Sequence, residues 1–382
     1  MEEEPACTGK DKQMSALFEP ARIGKLEVRN RFVRSATGDR CQTRTGLVAD
    51  RQIALFEGLA AGGIGLIVTG LTAVHDSGRL GFYQSSIAHD NCVPGLRRLT
   101  EAVHRHGSLV AVQLFHGGRE SGKNFKSKEG SAWAPSVIAN DPYWERRYRE
   151  IREEEIWEVI NAFGDGARRA REANFDAVQV HGAHAYLLSQ FLSPYSNRRV
   201  DAWGGEIANR LRIHCEVLKD IRSKVGDEYP VLIKLGVEDG FPGGLQFHEG
   251  KLAARVLADV GYDLIEVSSG LRGRNFEETE FRTGIDAPHK EGYFREWCRD
   301  IKPTVRVPVA MIGGLRTIEV MEDVIQKGEA DLVGLCRPFI REPALLETFR
   351  KDRSYTPKCI SCNGCLYVLR QGKPVRCVFS ED

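Results

Sequence analysis

The sequence predicts a (β/α)8 TIM barrel, an α/β fold in which eight strand–helix units close into a ring. Short apolar segments rich in β-branched residues alternate with longer amphipathic segments, and eight of each fall between residues 31 and 351. This alternation favours a parallel sheet covered by helices. No G-x-G-x-x-G fingerprint follows any predicted strand, which disfavours a doubly wound dinucleotide-binding sheet.

The predicted elements alternate along the chain. The strands are Arg31–Ser35, Gly65–Thr69, Leu109–Leu114, Ala177–Val180, Val231–Leu235, Leu264–Val267, Val309–Ile312 and Leu332–Leu335. The helices are Asp50–Ala61, Pro94–His106, Glu153–Asn174, Ile207–Val225, His248–Val260, Tyr293–Ile301, Thr317–Lys327 and Pro343–Lys351. Acidic residues at the start of the first and third helices suit the positive end of a helix dipole.

Composition bounds the organisation and the partners. We divide the 382 residues into a disordered polar lead (1–16), the barrel (17–352) and a cysteine-rich C-terminal extension (353–382). The net charge is +1, because 54 basic residues nearly balance 53 acidic ones, so we expect neither nucleic acid nor a membrane surface as partner. The apolar runs are strand-sized and the N-terminus MEEEPACTGKDKQ is polar, which predicts a cytoplasmic protein.

Two histidines and a tyrosine follow the fourth predicted strand, in the segment HGAHAY. His181, His184 and Tyr186 therefore stand where a parallel barrel presents side chains to its ligand. Two neutral imidazoles can donate hydrogen bonds to a carbonyl oxygen, and a phenol can supply a proton. The trio predicts activation of an unsaturated carbonyl compound. The alternative is a histidine pair that merely caps the strand.

Two other segments suggest ligand contacts. Gly313 and Gly314 end the seventh strand and Arg337 follows the eighth, a combination that suits a phosphate, although the glycines could also serve only tight turns. The long connection from His116 to Arg152 lies at the catalytic end of a barrel. It is either a lid over the substrate or a disordered surface insertion.

Five sequence blocks resemble the old yellow enzyme family of flavin-dependent ene-reductases. They lie in order along residues 17–365: LFEPARIGKLEVRNRFVRSAT, VQLFHGGR, HGAHAYLLSQFLSPYSN, IGGLRT and LVGLCRPFIREP. The resemblance implies that FMN lies across the barrel mouth and that NAD(P)H is the co-substrate. It also implies that His181 and His184 bind the oxygen of a small-molecule substrate while Tyr186 donates a proton.

The resemblance assigns further positions to the flavin. Gln113 would bond the pyrimidine edge, and Lys234 would place a positive charge near N1 and O2, where reduction develops negative charge. Gly38 stands where many members carry a threonine or cysteine side chain. The remaining implied cofactor-binding residues are Ser35, Ala36, Thr37, Gly70, Leu71, Ser269, Gly313, Gly314, Cys336 and Arg337.

Four cysteines cluster near the C-terminus with the spacing C-x2-C-x2-C-x11-C. Cys359, Cys362, Cys365 and Cys377 could hold a [4Fe–4S] cluster or, less readily, a structural zinc, or they could bind no metal. The segment CISCNGCL resembles the cluster loop of 2,4-dienoyl-CoA reductase and trimethylamine dehydrogenase. The other six cysteines are scattered, as is usual for reduced packing residues.

We therefore predict an FMN-dependent oxidoreductase that passes hydride from NAD(P)H to an activated C=C bond. A non-redox phosphate-binding isomerase or aldolase, using Lys234 or Glu266, is one alternative. Another is an iron–sulfur flavoprotein subunit related to dienoyl-CoA reductases or amine dehydrogenases. Partners beyond the substrate would be further copies of the chain or an electron-transfer subunit.

Overall fold

A computed structural model describes residues 15–122, 132–144, 147–273 and 279–380. Most of the predicted lead, residues 1–14, lies outside the described residues, and Ala16 begins a short 3-10 helix, Ala16–Phe18. The strands are β1 Ala21–Ile23, β2 Leu26–Val28, β3 Phe32–Arg34, β4 Leu66–Ala73, β5 Leu109–Phe115, β6 Ala132–Ala134, β7 Tyr148–Glu150, β8 Ala177–Gly182, β9 Val231–Gly236, β10 Leu264–Ser268, β11 Val309–Met311 and β12 Leu332–Leu335. The helices are α1 Asp50–Ala61, α2 Val93–His104, α3 Glu153–Glu172, α4 Leu187–Leu192, α5 Ile207–Val225, α6 Phe247–Asp259, α7 Arg295–Ile301, α8 Ile318–Gln326, α9 Arg337–Arg341, α10 Leu345–Lys351 and α11 Gly364–Arg370.

Eight strands close into a parallel barrel in the order β3-β4-β5-β8-β9-β10-β11-β12, so the predicted (β/α)8 fold is confirmed. The predicted bounds agree with the observed ones within two residues, except at the end of β4. That strand continues past a register shift between Val68 and Leu71 and ends at Ala73 rather than Thr69. Strand β8 also runs further than predicted. It contains His181, which was expected to follow the strand.

The bottom of the barrel is closed by elements that periodicity did not predict. Strands β1 and β2 form an antiparallel hairpin whose Ile23 and Val28 are completely buried. They pack in one apolar cluster with barrel residues such as Val33, Val68 and Leu232. This apolar plug leaves the opposite, C-terminal end of the strands as the open mouth.

The long connection between His116 and Arg152 contributes a second small sheet. Strands β6 and β7 pair in parallel, and Trp133 of β6 is buried against His116, with ring centroids 5.6 Å apart. A buried ion pair joins Arg119 to Asp141 at 3.0 Å. The described parts of this connection therefore pack on the barrel.

Within the described residues, no helix combines the length and the apolar character that crossing a membrane would require.

Candidate active site

A cavity of about 280 Å³ opens at the C-terminal end of the barrel strands. Its size is near that of pockets that hold small ligands and cofactors. The predicted cofactor and substrate residues that line it are Ser35, Ala36, Thr37, Leu71, Gln113, His181, His184, Tyr186, Lys234, Gly313, Gly314, Cys336 and Arg337. Barrel closure thus brings together residues that are up to 302 positions apart in sequence, Ser35 and Arg337.

Two predicted cofactor residues lie outside this lining. Gly70 borders a separate cavity of about 120 Å³ that shares Gly38 and Leu71 with the main one. Ser269 is buried, and its carbonyl accepts a hydrogen bond from the His184 backbone N–H at 3.1 Å. Their predicted contacts with FMN remain predictions.

A buried ion pair forms one side of the cavity floor. Lys234 Nζ lies 3.0 Å from Glu266 Oε1, and their side chains are 2% and 1% exposed. Ser35 Oγ donates to the same carboxylate oxygen at 2.6 Å and accepts from Lys234 at 3.0 Å. Adjacent strands place these groups together, because Lys234 of β9 and Glu266 of β10 are partners in the strand register.

Two glutamines extend this network beneath the cavity. Gln179 donates from Nε2 to Glu266 Oε2 at 2.7 Å and accepts at Oε1 from Gln113 Nε2 at 2.8 Å. Gln113 Oε1 is buried and makes no hydrogen bond within the described residues. An acceptor left without a partner is costly in a protein interior, and because Gln113 lines the cavity, a ligand donor there would satisfy this oxygen.

His181, His184 and Tyr186 form one aromatic cluster over the cavity. The two imidazole centroids are 5.0 Å apart, and the Tyr186 ring is also 5.0 Å from His181. His184 and Ala185 have left-handed backbone angles, φ 58° and 64°, which turn the chain sharply after β8. Non-glycine residues rarely adopt this conformation, and it often marks a functional site.

The hydrogen bonds of the two histidines leave one nitrogen of each ring for a ligand. The Ala183 N–H donates to His181 Nδ1 at 3.3 Å, which leaves the ring proton on Nε2. His184 Nε2 lies 2.7 Å from Ser268 Oγ, so Nδ1 is the remaining nitrogen. Neither histidine is therefore fully used in capping the strand.

Burial controls the protonation of the cluster. Burial, with the positive charges of Lys234 and Arg272, lowers the pKa of His184 well below its usual value. Burial, followed by His184, lowers the pKa of His181 in the same direction. Burial raises the pKa of Tyr186, although Arg272 opposes this shift. The cluster thus presents two neutral imidazoles and a protonated phenol at neutral pH.

Arg272 and Glu280 were not predicted from the sequence. Arg272 pairs with Glu280 at 2.6 Å, and its guanidinium lies 5.8 Å from the Tyr186 ring centroid. Both line the cavity beside the histidines. The sequence of a loop does not reveal such an ion pair. Gln179, which was also missed, could have been found, because it lies two residues before His181 on β8 and so points to the same face of the sheet.

The glycine loop and Arg337 lie at the other end of the cavity. Gly313 and Gly314 have φ angles of 118° and 73°, so their backbone requires glycine. Arg337 begins α9 and donates to the Arg282 carbonyl and to Asn363 Oδ1, each at 2.8 Å. Arg337 therefore borders the predicted phosphate position and also joins the barrel to the C-terminal extension.

The four clustered cysteines line one small cavity of about 20 Å³ beside α11. Cys365 lines the main cavity as well, whereas Cys362 is exposed. Arg341 Nη1 lies 3.3 Å from Cys377 Sγ. Across the described ranges, no group of three or more His, Cys, Asp or Glu side chains already has the arrangement of a metal site. The thiols are thus the correct donor type in one place, without preformed ligand geometry.

A model of the NADH:flavin oxidoreductase / NADH oxidase family matches residues 16–355. The chain belongs to this family. The predicted family is confirmed, and the non-redox alternative gains no support. The orphaned Gln113 oxygen and the cation of Lys234 fit the flavin that this family uses.

Relatives of two lengths match the chain. An NADH oxidase of Thermoanaerobacter brockii is 34% identical over 355 residues, which cover 92% of this chain and 53% of that protein. A 4,4'-dithiodibutanoate disulfide reductase of Rhodococcus erythropolis is 31% identical over 392 residues, covering 96% of this chain and 95% of that protein. The chain spans about half the length of the Thermoanaerobacter brockii protein and of two other curated relatives that it matches.

A solved structure also resembles the chain over nearly its whole length. The structure of a 2-naphthoyl-CoA reductase in complex with 2-naphthoyl-CoA aligns with a TM-score of 0.87 at 28% identity. The alignment covers 96% of this chain and 57% of that one. The aligned part therefore includes at least half of the 30-residue C-terminal extension.

Proposed function

We propose that the chain binds FMN in the main cavity and passes hydride from NAD(P)H to the activated C=C bond of an α,β-unsaturated carbonyl compound or a similar electrophile. When bound, FMN supplies the hydride-transfer chemistry. The observation that carries the proposal is that one cavity brings together two sets of groups. One set is the buried acceptor Gln113 Oε1, which has no partner among the described residues, and the cation of Lys234; the other is two neutral imidazoles and a protonated phenol.

The floor residues would hold the isoalloxazine ring. Gln113 offers an acceptor oxygen with no partner among the described residues, and Lys234 offers a buried cation that would lie near the position where reduction develops negative charge. Backbone N–H groups of Gly313 and Gly314, with the guanidinium of Arg337, would hold the phosphate. These assignments agree with the lining of the cavity.

The aromatic cluster would act on the substrate. His181 Nε2 and His184 Nδ1 would donate hydrogen bonds to the substrate oxygen, withdrawing electron density from the conjugated alkene. Tyr186 would deliver a proton to the α-carbon, because its phenol is buried and stays protonated at neutral pH. Neutral imidazoles suit this role, since burial disfavours their charged form.

Cofactor release tests the first half of the proposal. Denatured protein should liberate about one FMN per chain, and recovery of no flavin, or of FAD alone, would contradict the proposal. NADH or NADPH consumption by the native protein should then depend on an added enone.

A histidine pair variant tests the second half. His181→Ala with His184→Ala should weaken phenol binding by roughly tenfold or more, since each hydrogen bond contributes about 1 kcal/mol. The charge-transfer band of the bound phenol reports this affinity, and FMN content should not change. The exposed His248→Ala variant is the matched control. An unchanged phenol affinity in the double variant would remove the pair from the substrate site.

We also propose that Cys359, Cys362, Cys365 and Cys377 hold a [4Fe–4S] cluster. Four thiols line one cavity, and Cys365 also borders the main cavity. Anaerobically purified protein should contain about four irons and four sulfides per chain. Cys362→Ser should lose them and keep FMN, whereas Cys215→Ser should keep both. One zinc per chain, or no metal, would contradict the cluster.

A further inference from the structure

We propose that Glu266 is a positioning residue that fixes the amide orientation of Gln113 through Gln179, and so makes the cavity floor select a ring N–H of the bound flavin. This inference rests on the proposed binding of FMN. It goes beyond the expected contact of Gln113 with the flavin. It says that Gln179 and Glu266 determine whether Gln113 accepts or donates in that contact.

The network has one direction because a carboxylate can only accept hydrogen bonds. Gln179 must therefore turn its NH2 group towards Glu266, where the distance from Nε2 to Oε2 is 2.7 Å. The carbonyl oxygen of Gln179 then faces Gln113, so Gln113 must donate from its own NH2 group, with Nε2 2.8 Å from Gln179 Oε1. The remaining polar atom, Gln113 Oε1, is turned to the cavity without a partner among the described residues.

Burial prevents water from stabilising the reversed orientation of these amides. Gln113, Gln179 and Glu266 are each at most 1% exposed, so water cannot replace a mismatched partner. The other carboxylate oxygen, Glu266 Oε1, accepts a hydrogen bond from Ser35 Oγ at 2.6 Å and pairs with Lys234 Nζ at 3.0 Å. The negative charge of Glu266 is thus held in place by a cation and a hydroxyl donor. An amide at position 266 would have a donor and an acceptor where the carboxylate has two acceptors.

The ligand must match this orientation. The pyrimidine edge of a flavin carries two carbonyl oxygens and one N–H group, and only the N–H can pair with the oxygen of Gln113. A floor with the opposite amide orientation would present a donor to that N–H and leave both unpaired. Such a mismatch in a buried site lowers affinity about tenfold or more, which corresponds to about 1.4 kcal/mol.

An exchange of the two side chains gives a specific test. In Glu266→Gln, the new amide has one acceptor oxygen, whereas Lys234 and the NH2 group of Gln179 both need an acceptor. Its NH2 group must therefore face one of them, and the orientation of Gln113 is no longer imposed. The double change Gln179→Glu with Glu266→Gln restores every link. The new amide at position 266 can accept from Lys234 and donate to the new carboxylate at position 179. That carboxylate in turn accepts from Gln113.

The experiment measures FMN binding to apoprotein by quenching of flavin fluorescence. It also measures the alkaline pH at which the bound ring N–H ionises, by absorbance. Glu266→Gln should weaken binding about tenfold or more and lower that pH, because an acceptor at the N–H stabilises its protonated form. The exchanged variant should return within about threefold of the native affinity. Asp263→Asn, one residue before the start of the same strand, removes another carboxylate and should change neither value.

The outcomes separate this inference from the proposed function. Native protein that binds no FMN would overturn both. Native protein that binds FMN while Glu266→Gln binds it equally well, with the same N–H ionisation, would overturn only the positioning role. If Glu266→Gln does not fold, the exchanged variant decides, because a folded exchanged variant with affinity reduced tenfold or more contradicts the imposed orientation.

Discussion

Replacement of Lys234 by methionine should strongly destabilise the apoprotein. The substitution keeps an unbranched side chain that is one atom shorter, and it leaves Glu266 as a buried carboxylate without its cation. At the observed separation of 3.0 Å, the Coulomb attraction is about 5 kcal/mol for an effective dielectric constant of about 20. Removal of one partner from a buried pair generally costs about 3–5 kcal/mol. We therefore expect Lys234→Met to lower the free energy of unfolding by about 3–5 kcal/mol.

Urea unfolding of the apoprotein, followed by circular dichroism, measures this change through the shift in midpoint at constant slope. Lys234→Met combined with Glu266→Gln should be more stable than Lys234→Met alone, because no unpaired buried charge remains. Lys219→Met is the control, since Lys219 is 78% exposed and pairs with Glu216 at the surface, where such pairs contribute about 0–1 kcal/mol. A cost below about 1 kcal/mol for Lys234→Met would refute the argument, as would a double variant less stable than the single one.

Three further predictions concern the substrate side and the helix layer. Tyr186→Phe should slow reduction of an enone by about 10²–10⁴-fold and leave flavin reduction by NAD(P)H unchanged in stopped-flow measurements; equal slowing of both steps would contradict proton donation. Binding of an uncharged ketone should change less than about threefold between pH 5.5 and 8, because His181 and His184 stay neutral, whereas an ordinary histidine would give about a tenfold change. Burial raises the pKa of Glu155, but hydrogen bonds from its arginine partners outweigh this and lower it to about 2. Glu155→Gln should thus reduce stability at pH 7 by up to about 3 kcal/mol, and this difference should vanish as pH falls from about 4.5 towards 2; a constant difference in acid would contradict it.

Periodicity predicted the barrel because every barrel strand is a short apolar run between longer amphipathic segments. The hairpin β1–β2 was not predicted, since three-residue strands carry too little pattern to be recognised. The end of β4 was placed too early because its register shift interrupts the regular pairing with β5. Such irregular pairing depends on the neighbouring strand, which local sequence does not reveal.

The substrate side was predicted more fully than the residues that support it. HGAHAY stands out because two histidines and a tyrosine fall within six residues, and the structure places all three on one cavity. Gln179 and Glu266, by contrast, each stand between two apolar residues of a strand. The place of Gln179 two residues before His181 gives some signal, but the hydrogen bonds that join Gln113, Gln179 and Glu266 depend on which strands are neighbours and on the register between them.

The strand register explains why the cavity floor is polar and still has almost no net charge. Gln113 of β5 is paired with Gln179 of β8, and Lys234 of β9 is paired with both His181 and Glu266. Residues paired in this way point to the same side of a sheet, so a polar layer forms above the apolar plug of the barrel. Within that layer the carboxylate neutralises the lysine, and the buried Gln113 Oε1 has no hydrogen-bond partner in the part of the chain that the structure describes. The polar layer therefore suits an uncharged, hydrogen-bonding ring. Under the proposed binding of FMN, Lys234 would be the cation of this layer near the position where reduction develops negative charge.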